Sequence, residues 1–202
     1  MANAKSNLTY RQRQALATQK LIVDSARDLF LEQGYGNTTI EAISVRAGVA
    51  VSTVYSVFGS KRGILRAIRE AWHHESQQRD IYREARQQSD PKRRLELAAR
   101  ATRRQWETGA AMLTIYRGAA ATDQEAAAEL KEALRGRRAA LDRFINEMAP
   151  ALRADLSSEQ AAAIFFALTL PEVYENLVRG AGWSPNQYEA WLAAILLQQL
   201  LP

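Results

Sequence analysis

The stretch TIEAISVRAGVAVSTVYSVF, residues Thr39 to Phe58, reads as two short amphipathic helices joined at a glycine. Ile43 and Ala47 stand four apart on one face of the first piece. Val54 and Val57 stand three apart on one face of the second, with Phe58 beside them. Gly48 sits at the join, where a left-handed backbone closes a tight corner that Val49 plugs from inside. Ser44 is small enough to let two helix backbones approach. Apolar positions 43, 47, 49, 54 and 57 thus form the internal skeleton of a helix-turn-helix. The skeleton points Val51, Ser52, Thr53, Tyr55 and Ser56 outward, with no acidic residue among them. Hydroxyls and N-terminal backbone N–H groups suit phosphate oxygens, and small side chains let a helix sink into a major groove. An ordinary helical hairpin with a solvated polar face is the competing interpretation of the skeleton alone.

Charge separates the two interpretations. Residues 1–70 hold ten Lys/Arg and five Asp/Glu, whereas residues 71–202 hold seventeen of each, so the whole net charge of +5 lies with the motif and its flanks. A polyanionic partner is the economical reason, because counterions released from it favour binding. Alanine and leucine dominate the 202 residues and no strand-like alternation stands out, which makes the expected fold class all-α. With no cysteine, disulfides and thiolate metal sites are excluded. No signal-peptide pattern and no apolar run of bilayer length is present, so a cytoplasmic protein without membrane contact is expected.

Upstream of the motif, residues 1–13 are expected to form a basic arm whose Arg11 and Arg13 reach DNA, followed by a helix from Gln14 to Gln33. Ile22, Ala26, Leu29 and Phe30 place one stripe of that helix on the core, and Gly34 ends it. Thr38 with Glu41 three residues on predicts a capping box, and both Thr38 and Thr39 are placed to donate to phosphate.

The stretch GYGNTTIEAISVRAGVAVSTVYSVFGSKRGIL resembles the DNA-binding domain of the tetracycline-repressor (TetR) family of transcriptional regulators. The resemblance rests on Gly34-Tyr35, Thr38-Thr39, Ala47-Gly48-Val49, Thr53-Val54-Tyr55 and Phe58-Gly59-Ser60-Lys61, and covers about residues 14–66. It implies Thr39, Ser52, Thr53, Tyr55 and Lys61 as phosphate or base contacts. It also implies an N-terminal three-helix DNA-binding domain at 14–66 and a larger ligand-binding and dimerisation domain at 67–202. Three departures bear on base preference. Val57 stands where an aromatic or His is frequent, Ala50 where a Ser commonly caps the recognition helix, and Arg62-Gly63 where an acidic residue and a helix former are usual.

Downstream, a helix is expected from about Lys61 to Gln88, with Ile64, Leu65, Ile68 and Trp72 packed inward. His73 and His74 are adjacent, so they point about 100° apart and cannot chelate one metal; no metal and no cofactor are expected. Asp90-Pro91 restarts a helix that Gly109 is expected to interrupt, and Asp123 caps the next. The Arg135-Gly136-Arg137-Arg138 run reads as a solvated face offset by Glu129 and Glu132. Ser157 with Gln160 and Ser184 with Gln187 make two capping boxes around a segment that Pro171 is expected to kink.

The last two helices are apolar on more than one side, which fits a homodimer interface made of Phe165, Leu168, Val173, Leu177, Tyr188, Trp191, Leu192 and Ile195. The resemblance implies an effector pocket among the middle helices, with Arg103, Trp106, Tyr116, Phe165, Phe166, Tyr174 and Asn176 as candidate lining. Catalysis is not expected: there is no Gly-rich phosphate loop and no carboxylate–His ligand spacing. The function implied is a ligand-responsive regulator, most simply a repressor, that binds a palindromic operator as a homodimer and is released by a small molecule. An architectural DNA-binding protein without effector control is the alternative.

Overall fold

A computed structural model describes residues 9–202 and contains helices and no strands among them. The residues of the expected arm up to residue 8 lie outside the described residues. Helix α1 runs Tyr10–Gln33, starting earlier than Gln14 because Thr9 and Gln12 form a reciprocal capping box. Arg11 and Arg13 therefore stand, exposed, on the first turn of a helix. Helices α2 (Ile40–Ala47) and α3 (Val51–Phe58) follow, their directions turning through 108°. Gly48 holds the corner at φ 67°, ψ 33°, a left-handed conformation that costs other residues strain.

Helix α4 spans Lys61–Ser76 and α5 spans Gln78–Gln87. The single helix expected to Gln88 is broken at Gln77, whose backbone is left-handed at φ 52°. Helix α6 then runs from Pro91 to Ala120 without the expected break at Gly109. A Cβ there would overlap the indole of Trp72, which donates its Nε1–H to Gln105 O at 3.1 Å. Gly109 thus makes room for a ring and ends nothing. Helix α7 spans Gln124–Asn146, with Asp123 Oδ1 accepting from the backbone N–H groups of Glu125 and Ala126.

A short 3₁₀ turn at Ala149–Ala151 leads to α8 (Ser158–Leu168), α9 (Pro171–Tyr174), a π-helical turn at Glu175–Gly180 and α10 (Pro185–Leu200). Both capping boxes, Ser157/Gln160 and Ser184/Gln187, are formed. Pro171 opens α9 and does not interrupt a helix interior, and the chain bends by 45° between α8 and the segment that Pro171 starts. No single helix among the described residues is long and apolar enough to cross a membrane.

The helices group into two compact units. Among the described residues one comprises 9–70 with Met112–Ala127; the other comprises Ala71–Ala111 with Ala128–Pro202. The first is centred on Ile22, Ala26, Ile43, Val54, Ile64, Leu65 and Tyr116, each almost wholly out of water. The second is centred on Leu95, Phe144, Phe165, Tyr188, Leu192 and Leu196. Burial of such side chains contributes roughly 1.5–3 kcal/mol each, which is why the apolar stripes decide which helix faces turn inward.

Candidate functional site

In the first unit the helix-turn-helix is propped from below and bare above. Ile43 and Val54 are fully buried and Ser44 nearly so, its hydroxyl donating to Glu41 O at 2.8 Å. Ala47, Val49 and Phe58 are half-buried. Val57, expected in the skeleton, faces out with 37% of its surface exposed. It shares that surface with Ser52 and Ser56, which are exposed, and Tyr55, which is 49% exposed; Val51 and Thr53 are half-buried at its edges. Of the outward set expected on α3, Ser52, Tyr55 and Ser56 are exposed, while Val51 and Thr53 are half-buried. Ala50 stands as N-cap with no side-chain cap bond, so the first N–H groups of α3 have no side-chain acceptor there.

Two expected DNA contacts are spent inside the protein. Thr38 is 1% exposed, its hydroxyl donating to Gly34 O at 2.8 Å while Gln33 Nε2 donates to it at 3.2 Å. The N-cap of α2 is its neighbour Thr39, which is exposed and accepts from Ala42 N–H at 3.1 Å; the capping box expected between Thr38 and Glu41 is absent. Lys61 reaches back to donate from Nζ to Tyr35 O at 2.7 Å and Thr38 O at 2.9 Å, lying 4.2 Å from the centre of the Tyr35 ring. Partial burial lowers the pKa of its ammonium group, against the opposing pull of Asp123. Carbonyls exposed where the chain turns between α1 and α2 attract the nearest cation, and α4 delivers one.

Gly63 has a comparable structural reason. A Cβ at this position would overlap the carbonyl oxygen of Phe58, so the residue that looked like a weak helix start permits a close backbone approach. Arg62 next to it pairs with Asp123 at 3.7 Å and with Glu125, inside the same unit.

In the second unit the expected lining residues are divided. Tyr116 belongs to the first unit instead, its hydroxyl donating to Leu65 O at 3.3 Å. Arg103 is held by Glu107 and by Glu189 at 2.9 Å, and Asn176 is exposed on the π-helical turn. Phe165 is fully buried, stacked 5.8 Å from Phe144. Trp106 is buried and donates from Nε1 to Thr169 O at 3.0 Å, and Tyr174 packs edge-on against Tyr188 at 4.9 Å.

Sequence reasoning missed Arg137 here. Arg135 is exposed and paired with Glu132 at 2.7 Å, as a solvated face requires, but Arg137 turns inward from the same helix. Its Nη2 donates to Thr169 O at 2.6 Å and to Thr169 Oγ1 at 3.2 Å. The guanidinium carbon lies 5.3 Å from the Trp106 ring centre and 5.2 Å from that of Phe166. Burial lowers its pKa, with Tyr82, Tyr188 and Glu172 opposing. The 3.6-residue period separates Arg135 from Arg137 by about 200°, and this was the one signal available in the run.

Among the interface candidates, Phe165, Tyr188 and Leu192 are fully buried in the chain's own core and have no surface left for a partner. The reason is geometric: α8 and α10 pack on each other, which consumes one face of each. Leu168, Val173, Leu177, Trp191 and Ile195 remain half-buried. Leu168, Trp191 and Ile195, with exposed Ala163, Ala167, Ala190 and Ala194, leave an apolar stripe at four-residue spacing on α8 and α10.

Residues 22–68 match the family model described as bacterial regulatory proteins, tetR family. No curated protein sequence matches. Among solved structures, SmeT in complex with triclosan is 21% identical, covering 92% of each chain at a TM-score of 0.72. NalD, the secondary repressor of the MexAB-OprM multidrug efflux pump in Pseudomonas aeruginosa, is 22% identical over 94% of this chain and 98% of its own, at 0.70. The fatty acid degradation regulator FadR from Bacillus halodurans is 18% identical over 89% and 94%, at 0.69. Residues 22–68 thus match the helix-turn-helix domain model of the tetR family, and the chain as a whole shares the fold of these solved structures.

Proposed function

We propose that the protein is a homodimeric, ligand-responsive repressor that acts in the cytoplasm by binding a palindromic operator. The observation that carries the reading is the open face of α3, where Ser52, Tyr55, Ser56 and Val57 meet solvent while Ile43 and Val54 hold the helix from behind. Thr39 and Val51 flank that face, Thr53 edges it, and Arg11 and Arg13 supply exposed charge on α1. Thr38 and Lys61 are left off the contact set because their donors already have acceptors. DNA binding is assigned to residues 14–66, with Met112–Ala127 completing the same compact unit. Effector binding and dimerisation are assigned to the rest of 67–202.

One eight-residue helix grips few base pairs, so a two-fold pair ~34–36 Å apart is needed to read an operator. The apolar stripe on α8 and α10 supports that pairing, since a monomer would leave it wet. SmeT bound to triclosan and the gamma-butyrolactone receptor are proteins of this fold associated with small molecules, which supports effector control. An effector must bind the DNA-competent and released states differently; a tenfold shift in occupancy corresponds to ~1.4 kcal/mol. Selection of bound sequences from random duplex DNA tests the reading. A palindrome with half-sites one helical turn apart is expected; no enrichment, or a single half-site bound by a species of 22.6 kDa, would sink it.

A further inference from the structure

Arg137 and Tyr188, both in the second unit, each carry a buried polar atom whose bonding is incomplete. The Nε of Arg137 and the hydroxyl oxygen of Tyr188 are both buried with no hydrogen-bond partner. Tyr188 is fully buried, and the guanidinium charge acts on it and on the hydroxyl end of Tyr82. The bonds Arg137 does make go to neutral oxygens, the carbonyl and hydroxyl of Thr169, and that carbonyl is already taken by Trp106 Nε1.

Neighbouring arginines of the same unit are treated otherwise. Arg138 has Asp142 at 2.8 Å and Arg103 has Glu107 and Glu189, whereas Arg137 has no carboxylate at ion-pair distance among the described residues, Glu172 acting on it only from farther away. A cation taken out of water is normally paired, because desolvation is repaid only by an opposite charge with its remaining protons satisfied. Aromatic faces at 5.2 and 5.3 Å supply weak compensation and an apolar wall. The bent segment that carries Thr169 leads into the π-helical turn at Glu175–Gly180, a distortion frequent at functional sites.

We propose that the effector is an organic anion, a carboxylate carried on an apolar body, and that Arg137 and Tyr188 read its charged end. The inference rests on the effector-controlled reading given above and adds the ligand's chemical class. A carboxylate has four acceptor positions, enough to take the free Nε–H of Arg137 and the O–H of Tyr188 together. Its apolar body would lie against Trp106 and Phe166, where a neutral analogue gains the same contact but leaves both donors unanswered.

The test titrates the full-length protein by calorimetry with straight-chain carboxylates from acetate to decanoate, with benzoate and 1-naphthoate, and with the matching alcohols. At least one carboxylate is expected to bind tenfold or more tightly than its alcohol, a difference of ~1.4 kcal/mol. Arg137→Gln should abolish that preference, and Tyr188→Phe should reduce it about threefold while keeping the ring. Tyr188→Phe removes only an unbonded hydroxyl, so it decides the matter even if Arg137→Gln does not fold. The aromatic and aliphatic series show which body the walls prefer. The proposal is overturned if alcohols bind as well as carboxylates, if no carboxylate binds, or if Tyr188→Phe retains the wild-type preference. Release of operator DNA, followed in parallel by fluorescence anisotropy, keeps the two readings apart. Release by alcohols alone would retain effector control and reject the anion, whereas absence of any operator would reject the regulator while calorimetry still judged the anion.

Discussion

On α3 the hydroxyls of Ser52, Tyr55 and Ser56 are left in water, whereas in the second unit the Nε of half-buried Arg137 and the hydroxyl of Tyr188 are taken out of it. The first arrangement costs nothing before a partner arrives, and it suits a large, hydrated polyanion that will displace the water. The second costs about 1–3 kcal/mol for each group left without a partner, and it suits a small molecule that enters and completes the bonding. Open polar faces and enclosed polar pairs are thus two ways to keep donors ready, and their size of partner differs. Glycine marks the same contrast: Gly63 gives way to a backbone carbonyl in the first unit, Gly109 to an indole ring in the second.

Substitutions at those glycines should break the contrast most severely. Gly63→Ala places a methyl against the Phe58 carbonyl, which cannot swing aside, and should cost about 3 kcal/mol by urea denaturation. Gly109→Ala meets a side chain, which can yield by giving up its bond to Gln105; about 2 kcal/mol is expected, together with a change in tryptophan fluorescence. Equal, negligible costs at both positions would mean that neither approach is as close as described.

On the open face, Tyr55→Ala should weaken operator binding about tenfold at physiological salt, or ~1.4 kcal/mol. Its stability should stay within about 0.5 kcal/mol of wild type, as for other exposed positions. Lys61→Ala should show the opposite pattern, losing about 1.5 kcal/mol of stability through its two carbonyl acceptors, and the two denaturation curves compared directly would decide. The smallest effects belong to the caps. Thr39→Ala and Ser184→Ala should each cost about 1 kcal/mol, the first at the helix-turn-helix and the second in α10, so thermal shifts of similar size are expected from both.

Local chemistry alone determined the all-helical fold, the motif at 39–58, the caps at Ser157 and Ser184 and the outward turn of Ser52, Tyr55 and Ser56. Each of these depends on neighbours within about four residues, where helical period and capping are written directly into the chain. Only the tertiary structure decided that Gly109 accommodates Trp72, that Lys61 caps the Tyr35 and Thr38 carbonyls, and that Tyr188 and Leu192 serve the chain's own core. It also decided that Arg137 faces inward although Arg135, two residues earlier on the same helix, meets Glu132 in solvent. In each case the partner lies on another helix, and a period read along one helix states which faces exist without stating what will cover them.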